Sequence, residues 1–252
     1  MMKSYCIDVH CHLDICYDSQ ACIDHAQKNE VGMIITNGIN SETNRKTLAL
    51  ASQFQEVKAA LGIYPLDALK MSDQEIDQEI DFIKNHAKHI VSIGEVGLDF
   101  KEDVKEPQRQ QRIFQKFIDL SLELKKPIIV HSRKAEKECI ELLEKANAKK
   151  VVMHCFSGKF SLVEKIVKQD WFLSIPTSIT YSEHFKNIVD KIPLQHLLCE
   201  TDAPFLHPEK LKNNEPANVL TSYKSIAKIK SLSFQYIQNE IFMNVQKLFF
   251  KK

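Results

Sequence analysis

Residues 128–154 are IIVHSRKAEKECIELLEKANAKKVVMH, two short apolar runs joined by a charged segment. Ile128–Val130 and Val151–Met153 are rich in β-branched residues, as expected of strands that are buried on both faces. A histidine directly follows each run. Between the runs, Lys134–Ala146 carries apolar residues at the 3.6-residue spacing of an amphipathic helix. The segment is therefore predicted to be a strand–helix–strand unit with parallel strands.

The same alternation extends in both directions along the chain. Six further short apolar runs are predicted strands, at Cys6–Val9, Val31–Thr36, Val57–Ile63, Ile90–Ile93, Phe172–Ile175 and Leu197–Cys199. Longer amphipathic segments are predicted helices, at Glu42–Phe54, Asp73–Lys88, Glu106–Lys125, Ser161–Lys168 and Ser233–Phe250. Eight strands alternating with helices are typical of an α/β protein with a (β/α)8 TIM barrel, here distorted and with an extra C-terminal helix. A doubly wound sheet is the structural alternative.

Composition excludes several classes of protein. The 252 residues are 44% hydrophobic and 27% charged, with a formal net charge of +1, which excludes a disordered chain. The balanced charge argues against a broad nucleic-acid coat but allows one local phosphate-binding cleft. No apolar run approaches the roughly 18 residues that a membrane-spanning helix needs. No Pro/Gly/Ser-rich linker divides the chain, so residues 1–252 are predicted to form one domain.

The cysteines and the N-terminus suggest where the protein works. The seven cysteines form no C-x-x-C pair, and the start of the chain lacks the apolar segment and cleavage site of a signal peptide. Reduced thiols are usual inside cells. The protein is therefore expected to be cytoplasmic, and nothing in the sequence implies a membrane or an obligate protein partner.

Side chains that can bind metals follow five of the predicted strands. They are His10, His12, Glu95, His131, His154 and Asp202. The carboxyl ends of barrel strands meet at one rim, where the active sites of such enzymes lie. Nitrogen and oxygen ligands of this kind suit borderline or hard divalent ions. Because His10 and His12 are two residues apart, both are expected to face the barrel interior, while Cys11 points outward as a buried structural thiol.

Other residues near these positions are candidates for holding a substrate. Arg133 lies just after a predicted strand, and its planar guanidinium suits a phosphate or a carboxylate. Glu200 lies two residues before Asp202, so it is expected to face the same interior and to orient a ligand or the substrate. The loop Pro204–Pro216 follows the last strand and carries Lys212, which is expected to contact DNA phosphate.

Five blocks of the sequence resemble those of TatD-family metal-dependent deoxyribonucleases. In chain order they are Asp8–His12, Gly94–Asp99, Pro127–Arg133, His154–Gly158 and Glu200–Pro204, and Asn214–Pro216 fits as well. The resemblance spans roughly Cys6 to Tyr223. It implies a barrel with one or two divalent ions (Mg²⁺, Mn²⁺ or Zn²⁺) and the hydrolysis of DNA, largely from the 3′ end.

The resemblance also implies how the ligands are shared. The first ion would have four ligands, His10, His12, Glu95 and Asp202. The second ion would share Glu95 with the first and add His131 and His154. Catalytic roles are expected for Glu95, as the bridging ligand, and for Asp202, which is placed to accept the proton of the attacking water.

Two positions depart from the family pattern. The family usually has a histidine after the third strand, where this chain has Tyr64, and an aspartate where it has Lys134. In relatives that histidine is thought to contact the substrate phosphate. Tyr64 can donate a hydrogen bond but carries no positive charge at neutral pH, so it is expected to bind substrate with an altered preference or rate.

The sequence therefore predicts a hydrolase that cleaves DNA phosphodiesters, as a 3′–5′ exonuclease on single-stranded or frayed ends bound locally at the barrel mouth. An amidohydrolase acting on C–N bonds is one alternative, although such enzymes commonly have a lysine where Glu95 stands. A weakly active metal-binding scaffold is another, suggested by Tyr64 and Lys134. The complete ligand set argues against the scaffold.

Overall fold

Eight parallel strands form a single sheet in the computed structural model, which describes residues 4–101 and 106–251. The strands are β1 (Cys6–Cys11), β2 (Val31–Asn37), β3 (Val57–Leu61), β4 (Ile90–Gly97), β5 (Ile128–His131), β6 (Val151–His154), β7 (Phe172–Ile175) and β8 (Leu197–Cys199). Each strand pairs with the next one along the chain. A doubly wound sheet reverses its strand order, so that alternative is wrong and the predicted barrel is confirmed.

Helices cover the outside of the sheet. They are α1 (Ser19–Lys28), α2 (Ser41–Gln53), α3 (Pro65–Ala68), α4 (Asp73–Asn85), α5 (Pro107–Leu124), α6 (Glu136–Lys145), α7 (Phe160–Lys168), α8 (Glu183–Lys191), α9 (Val219–Lys230) and α10 (Phe234–Val245). Helix α6 begins two residues later than predicted because Lys134, at φ 59°, lies outside the helical region. Within residues 4–101 and 106–251, no helix has both the length and the apolar character to cross a membrane.

Hydrogen bonds at the carboxyl ends of β1 and β8 close the barrel. The Asp202 amide donates to the His10 carbonyl at 2.9 Å, and the His12 amide donates to the Ala203 carbonyl at 2.7 Å. We call this contact the seam. It brings the first and last strands together at the rim where the predicted metal ligands lie.

The C-terminal helix closes the other end of the barrel. Phe242 and Val245 of α10 pack into the inner apolar cluster together with Met33 and Phe172, which lie near the beginnings of their strands. A π-helical turn, Gln246–Phe250, follows α10 and adds further apolar contacts to this cluster. The extra C-terminal helix that the sequence predicted is therefore an apolar plug opposite the site.

Strand β1 does not keep a strict alternation. Ile7 and Val9 lie in the inner cluster, but the register against β2 shifts between Asp8 and Cys11. This irregularity places His10 beside Glu95 on the inside as well, and Cys11 in the outer layer between strands and helices. The predicted direction of Cys11 is confirmed, although simple alternation from Ile7 would have turned His10 outward.

Tyr223 stabilises the free side of β1. Its hydroxyl accepts a hydrogen bond from the Ile7 amide at 2.9 Å and donates one to the Ile7 carbonyl at 3.1 Å. The Tyr223 side chain comes from α9 and is completely buried. It thus satisfies two backbone groups that a neighbouring strand would otherwise pair.

We expect Tyr223→Phe to lower the free energy of unfolding by about 1–3 kcal/mol, because it leaves two buried backbone groups without partners. Urea titration followed by circular dichroism measures this loss. Tyr236→Phe removes a hydroxyl from an exposed side chain of α10 and serves as the control. Equal stability of Tyr223→Phe and the wild type would contradict the role of this hydroxyl.

Candidate metal centre

Four side chains meet around one point at the carboxyl ends of β1, β4 and β8. The Nε2 atom of His10 lies 3.5 Å from Glu95 Oε2 and 3.6 Å from Asp202 Oδ1. The corresponding distances from Nε2 of His12 are 3.4 and 3.5 Å. Two ligand atoms that each lie about 2.1 Å from a tetrahedral ion are about 3.4 Å apart. These four atoms therefore fit a single divalent ion.

A second group uses the other oxygen of Glu95. Glu95 Oε1 lies 2.9 Å from Nδ1 of His131 and 3.9 Å from Nε2 of His154. The two groups thus share one carboxylate, with one oxygen directed to each. The structure brings together all six residues that the sequence singled out as ligands.

His10 provides a test of whether a metal fits this site. The side chain is completely buried, and neither ring nitrogen has a hydrogen-bond partner among the residues that the structure describes. Its ring stacks on that of His154 with 3.7 Å between centroids. Burial and the neighbouring His154 lower the pKa of His10, which favours the neutral form that binds metals. A cation at Nε2 would satisfy a buried polar atom that is otherwise costly.

The carboxylates of the site are held in the ionised form. Burial raises the pKa of Glu95, but the imidazoles of His10, His12 and His131 beside the carboxylate outweigh it and hold the pKa well below its ordinary value. Burial also raises the pKa of Asp202, and the hydrogen bond from His12 with the nearby imidazole charges lowers it to below normal. Protons on these imidazoles compete with a cation for the same nitrogens, so metal affinity should decrease as the pH is lowered.

Oxygen atoms behind the ligands fix the orientation of three imidazoles. His12 Nδ1 lies 3.0 Å from the Asn37 carbonyl oxygen, and His131 Nε2 lies 3.2 Å from Asp99 Oδ2. His154 Nδ1 lies 3.0 Å from Glu200 Oε2. Such contacts hold an imidazole in the tautomer that binds a metal and tune its basicity.

Sequence reasoning missed the roles of Asn37 and Asp99. Both are polar residues at or just beyond the carboxyl end of a strand, β2 and β4, which is the same signal that identified the ligands. Asn37 contributes a backbone oxygen, which no side-chain pattern reveals. Asp99 lies six residues after the end of the predicted strand Ile90–Ile93, too far along the chain for the strand pattern alone to mark it.

Glu200 does not lie where a substrate could reach it. The side chain is completely buried, and its second oxygen accepts a hydrogen bond from the Cys155 amide at 3.0 Å. The expectation that Glu200 contacts substrate is therefore wrong. Its position fits the other role considered for it, the orientation of a ligand, which here is His154.

A cavity of about 370 Å³ opens above the ligands. Ten residues line it: His12, Ile15, Ile39, Tyr64, Glu95, His131, Arg133, His154, Asp202 and Phe205. The predicted substrate residues Tyr64 and Arg133 are among them. Lys212 is exposed on its loop and is not one of the lining residues, so its contact with a longer strand stays a prediction.

Tyr64 and Arg133 are both tied to Asp99. The Tyr64 hydroxyl donates to Asp99 Oδ2 at 2.6 Å, and the Arg133 Nη1 atom lies 3.8 Å from the same oxygen. Burial raises the pKa of Asp99, but hydrogen bonds from His131 and Tyr64 lower it to about 2. The carboxylate therefore stays ionised and holds one side of the cavity in place.

Comparison with known proteins agrees with this geometry. The family model of TatD-related DNases matches residues 7–250. The chain is 34% identical to an uncharacterized metal-dependent hydrolase from Methanocaldococcus jannaschii, over 96% of each chain. It is also 34% identical to deoxyribonuclease TATDN3 from Homo sapiens, over 96% of this chain and 94% of the relative. Among solved structures, the TatD homologue YjjV from Escherichia coli aligns with a TM-score of 0.92 at 28% identity, covering 98% of each chain.

We expect Glu200→Gln to lower the pKa of His154 in the metal-free protein by about 1–3 pH units. Burial lowers this pKa, but the charge and hydrogen bond of Glu200, together with Asp202 and Glu95, raise it to about 9 from a normal 6.5. Proton NMR titration of the imidazole measures the change. Glu215→Gln, which removes the same charge beside the distant His25, is the control.

The raised pKa also predicts a pH dependence of stability. The stabilisation from protonated His154 is complete below about pH 6.5 and is lost as the pH rises through about 9. Glu200→Gln should weaken this loss in chelator-treated protein. An unchanged His154 titration in that variant would show that Glu200 does not control the imidazole.

Proposed function

Because the chain belongs to the family of TatD-related DNases, we propose that its metal centre hydrolyses phosphodiester bonds of DNA. The observation that carries the proposal is the position of Glu95, whose two oxygens face two different groups of ligand atoms. A shared carboxylate is suited to holding two divalent ions side by side. Phosphodiesters are apt substrates for such a pair because their non-bridging oxygens are negatively charged.

We assign two ions, Mg²⁺, Mn²⁺ or Zn²⁺, to the two ligand groups. His10, His12, Glu95 and Asp202 would hold one, and Glu95, His131 and His154 would hold the other. Ions bound there acidify water and offset charge on phosphate oxygens. Asp99 and Glu200 hold His131 and His154 in place.

Asp202 is the residue that we propose as the proton acceptor. Its side chain borders the cavity and is held ionised, so it can take a proton from the attacking water. Its backbone has a φ of 56°, and its amide is fixed by the carbonyl of His10 at 2.9 Å. The seam thus sets the direction of this carboxylate.

Arg133 is proposed to bind the phosphate chain, and Tyr64, whose hydroxyl proton is donated to Asp99, is proposed to contact the substrate beside it. Both line the cavity on the side of His131. The Arg133 side chain is 39% exposed and supplies positive charge at the cavity. The DNA would bind locally at this mouth, as a single-stranded or frayed 3′ end, with Lys212 in reach of a longer strand.

The direct test is hydrolysis of single-stranded oligonucleotides labelled at either end, with and without each metal. Stepwise loss of the 3′ nucleotide supports the exonuclease assignment. Internal cuts only, or a preference for the 5′ end, would contradict the polarity. Activity on a cyclic amide without activity on DNA would show that the protein is a C–N hydrolase instead.

Metal analysis tests the sharing of Glu95. We expect Glu95→Ala to lose both ions, because one residue serves the two groups. His12→Ala is the matched control and should lose only the ion of the first group. Inductively coupled plasma mass spectrometry after dialysis gives the ratio of metal to protein. Wild-type stoichiometry in Glu95→Ala would exclude the bridging role.

Asp202→Asn separates proton transfer from metal binding. The variant keeps the shape and one oxygen donor but loses the charge and the proton acceptor. We expect kcat to fall by about 10²–10⁴ even with saturating Mn²⁺. Turnover near the wild-type rate under those conditions would make Asp202 a ligand only.

A further inference from the structure

The cavity has two chemically different sides. On the side of His131, Tyr64 and Arg133 offer a hydroxyl and a guanidinium. On the side of His12, the lining residues beyond the ligands are Ile15 and Phe205. The remaining apolar lining residue, Ile39, lies next to the other side, where its carbonyl accepts a hydrogen bond from the Tyr64 amide at 2.8 Å. The Phe205 ring is 6.2 Å from the His12 ring, and the Tyr64 ring is 4.9 Å from the His131 ring. Because Glu95 lies between the two histidines, the polar and apolar sides flank the metal centre.

The apolar side is open to solvent. Phe205 is 53% exposed and Ile15 is 43% exposed, although both are large apolar side chains beside a cavity. Such surface next to a site commonly marks where a ligand binds. Two side chains are too few for a protein partner, which typically covers about 800 Å² on each chain. Their size and place fit part of a small substrate.

Short turns fix both apolar residues relative to a ligand. The Phe205 amide donates to the Asp202 carbonyl at 2.8 Å, and the Ile15 amide donates to the His12 carbonyl at 3.2 Å. Each apolar side chain is therefore three residues after a residue of the first ligand group. Its position is coupled to that of the candidate metal centre.

The loop around Phe205 is anchored on both sides. Asn214 is completely buried, and its backbone amide donates a hydrogen bond to the Pro204 carbonyl at 2.9 Å while its side-chain amide donates one to the Thr201 carbonyl at 2.9 Å. The Thr177 hydroxyl donates to the Leu206 carbonyl at 2.6 Å. The two residues that flank Phe205 are thus held by hydrogen bonds. A rigid support lowers the cost of ordering an aromatic contact when a ligand binds.

We propose that Phe205 is a specificity-determining residue on which an unpaired nucleobase of the substrate stacks, with Ile15 as a second apolar contact. The inference rests on the proposed function. A phosphate at the metal centre has a nucleoside attached on each side, and the apolar side of the cavity is where a base face can be buried. The next phosphate along the strand would then lie on the polar side of the cavity, near Arg133.

This arrangement explains how the site would select single strands without reading sequence. Both faces of a base inside a duplex are covered by neighbouring base pairs, whereas a terminal unpaired base has at least one free face and can leave its neighbour without breaking a base pair. Every base has a π face, so stacking on one ring tolerates all four bases. Duplex ends would have to fray before the terminal base could reach Phe205.

Kinetics on two matched single-stranded substrates, one complete and one with an abasic residue, test the proposal. Phe205→Ala should raise KM for a single-stranded oligonucleotide by about 5- to 150-fold, the range expected for loss of one base–aromatic stack, with a smaller change in kcat. The same oligonucleotide with an abasic residue at one of its last two positions should show no difference between Phe205→Ala and the wild type. Phe205→Trp should restore the low KM. Leu232→Ala, which removes an exposed apolar side chain from the turn between α9 and α10, is the control.

A binding measurement gives a readout that needs no turnover. An oligonucleotide with 2-aminopurine in place of that base should lose fluorescence on binding to the wild type and to Leu232→Ala, but not to Phe205→Ala. Equal KM values for the base-bearing strand, or an equal rise for base-bearing and abasic strands, would overturn the stacking role. If the wild type hydrolyses no oligonucleotide, the proposed function fails, and the fluorescence difference alone decides whether Phe205 binds a base.

Discussion

The seam between the first and last strands is the contact on which the candidate metal centre depends. Buried Asp8 accepts hydrogen bonds from the Thr201 amide at 2.9 Å and the Thr201 hydroxyl at 2.5 Å, and also from the His10 amide at 3.2 Å. One carboxylate thus fixes the backbone before both His10 and Asp202. These hydrogen bonds hold His10, His12 and Asp202 close together at the ends of β1 and β8.

Stability and chemistry are separated along the barrel axis. At the strand carboxyl ends, imidazoles and carboxylates are buried close together, which is costly unless charges and hydrogen bonds compensate. At the other end, α10 and the turn after it bury Phe242 and Phe249 among apolar residues. The outer layer adds the contacts between strands and helices. This apolar packing stabilises the barrel, so the rim can hold buried imidazoles and carboxylates that suit chemistry but are costly to bury.

The strands, and the six residues that come together at their carboxyl ends, were predictable because both rest on local patterns. A short β-branched run that ends in histidine, such as Val151–His154, predicts both a buried strand and a polar side chain at the carboxyl end of that strand. Helices α1, α3, α8 and α9 were not predicted. In α1, only Cys22, Ile23 and Ala26 face the core, and an apolar stripe this weak does not stand out in the sequence.

Long-range contacts explain the rest of what sequence reasoning could not find. The register shift in β1 and the pairing of Glu200 with His154 depend on neighbours distant in the chain. Glu200 was expected at the correct face, but its depth behind His154 is set by packing. The loop around Phe205 is likewise anchored by a distant residue, Thr177, whose hydroxyl donates a hydrogen bond to the Leu206 carbonyl.

The seam also has a consequence for biosynthesis. Thr201 and Asp8 are separated by 193 positions, and α9 and α10 follow still later in the chain. A nascent chain therefore carries His10 and His12 from the start but cannot place Asp202 beside them until β8 has left the ribosome. A product that terminates before β8 lacks the aspartate, the aromatic side chain at position 205 and the C-terminal plug at once. The candidate metal centre is therefore complete only after the last strand of the barrel has been made, and a chain that ends before β8 would carry the histidines without the aspartate that completes the first ligand group.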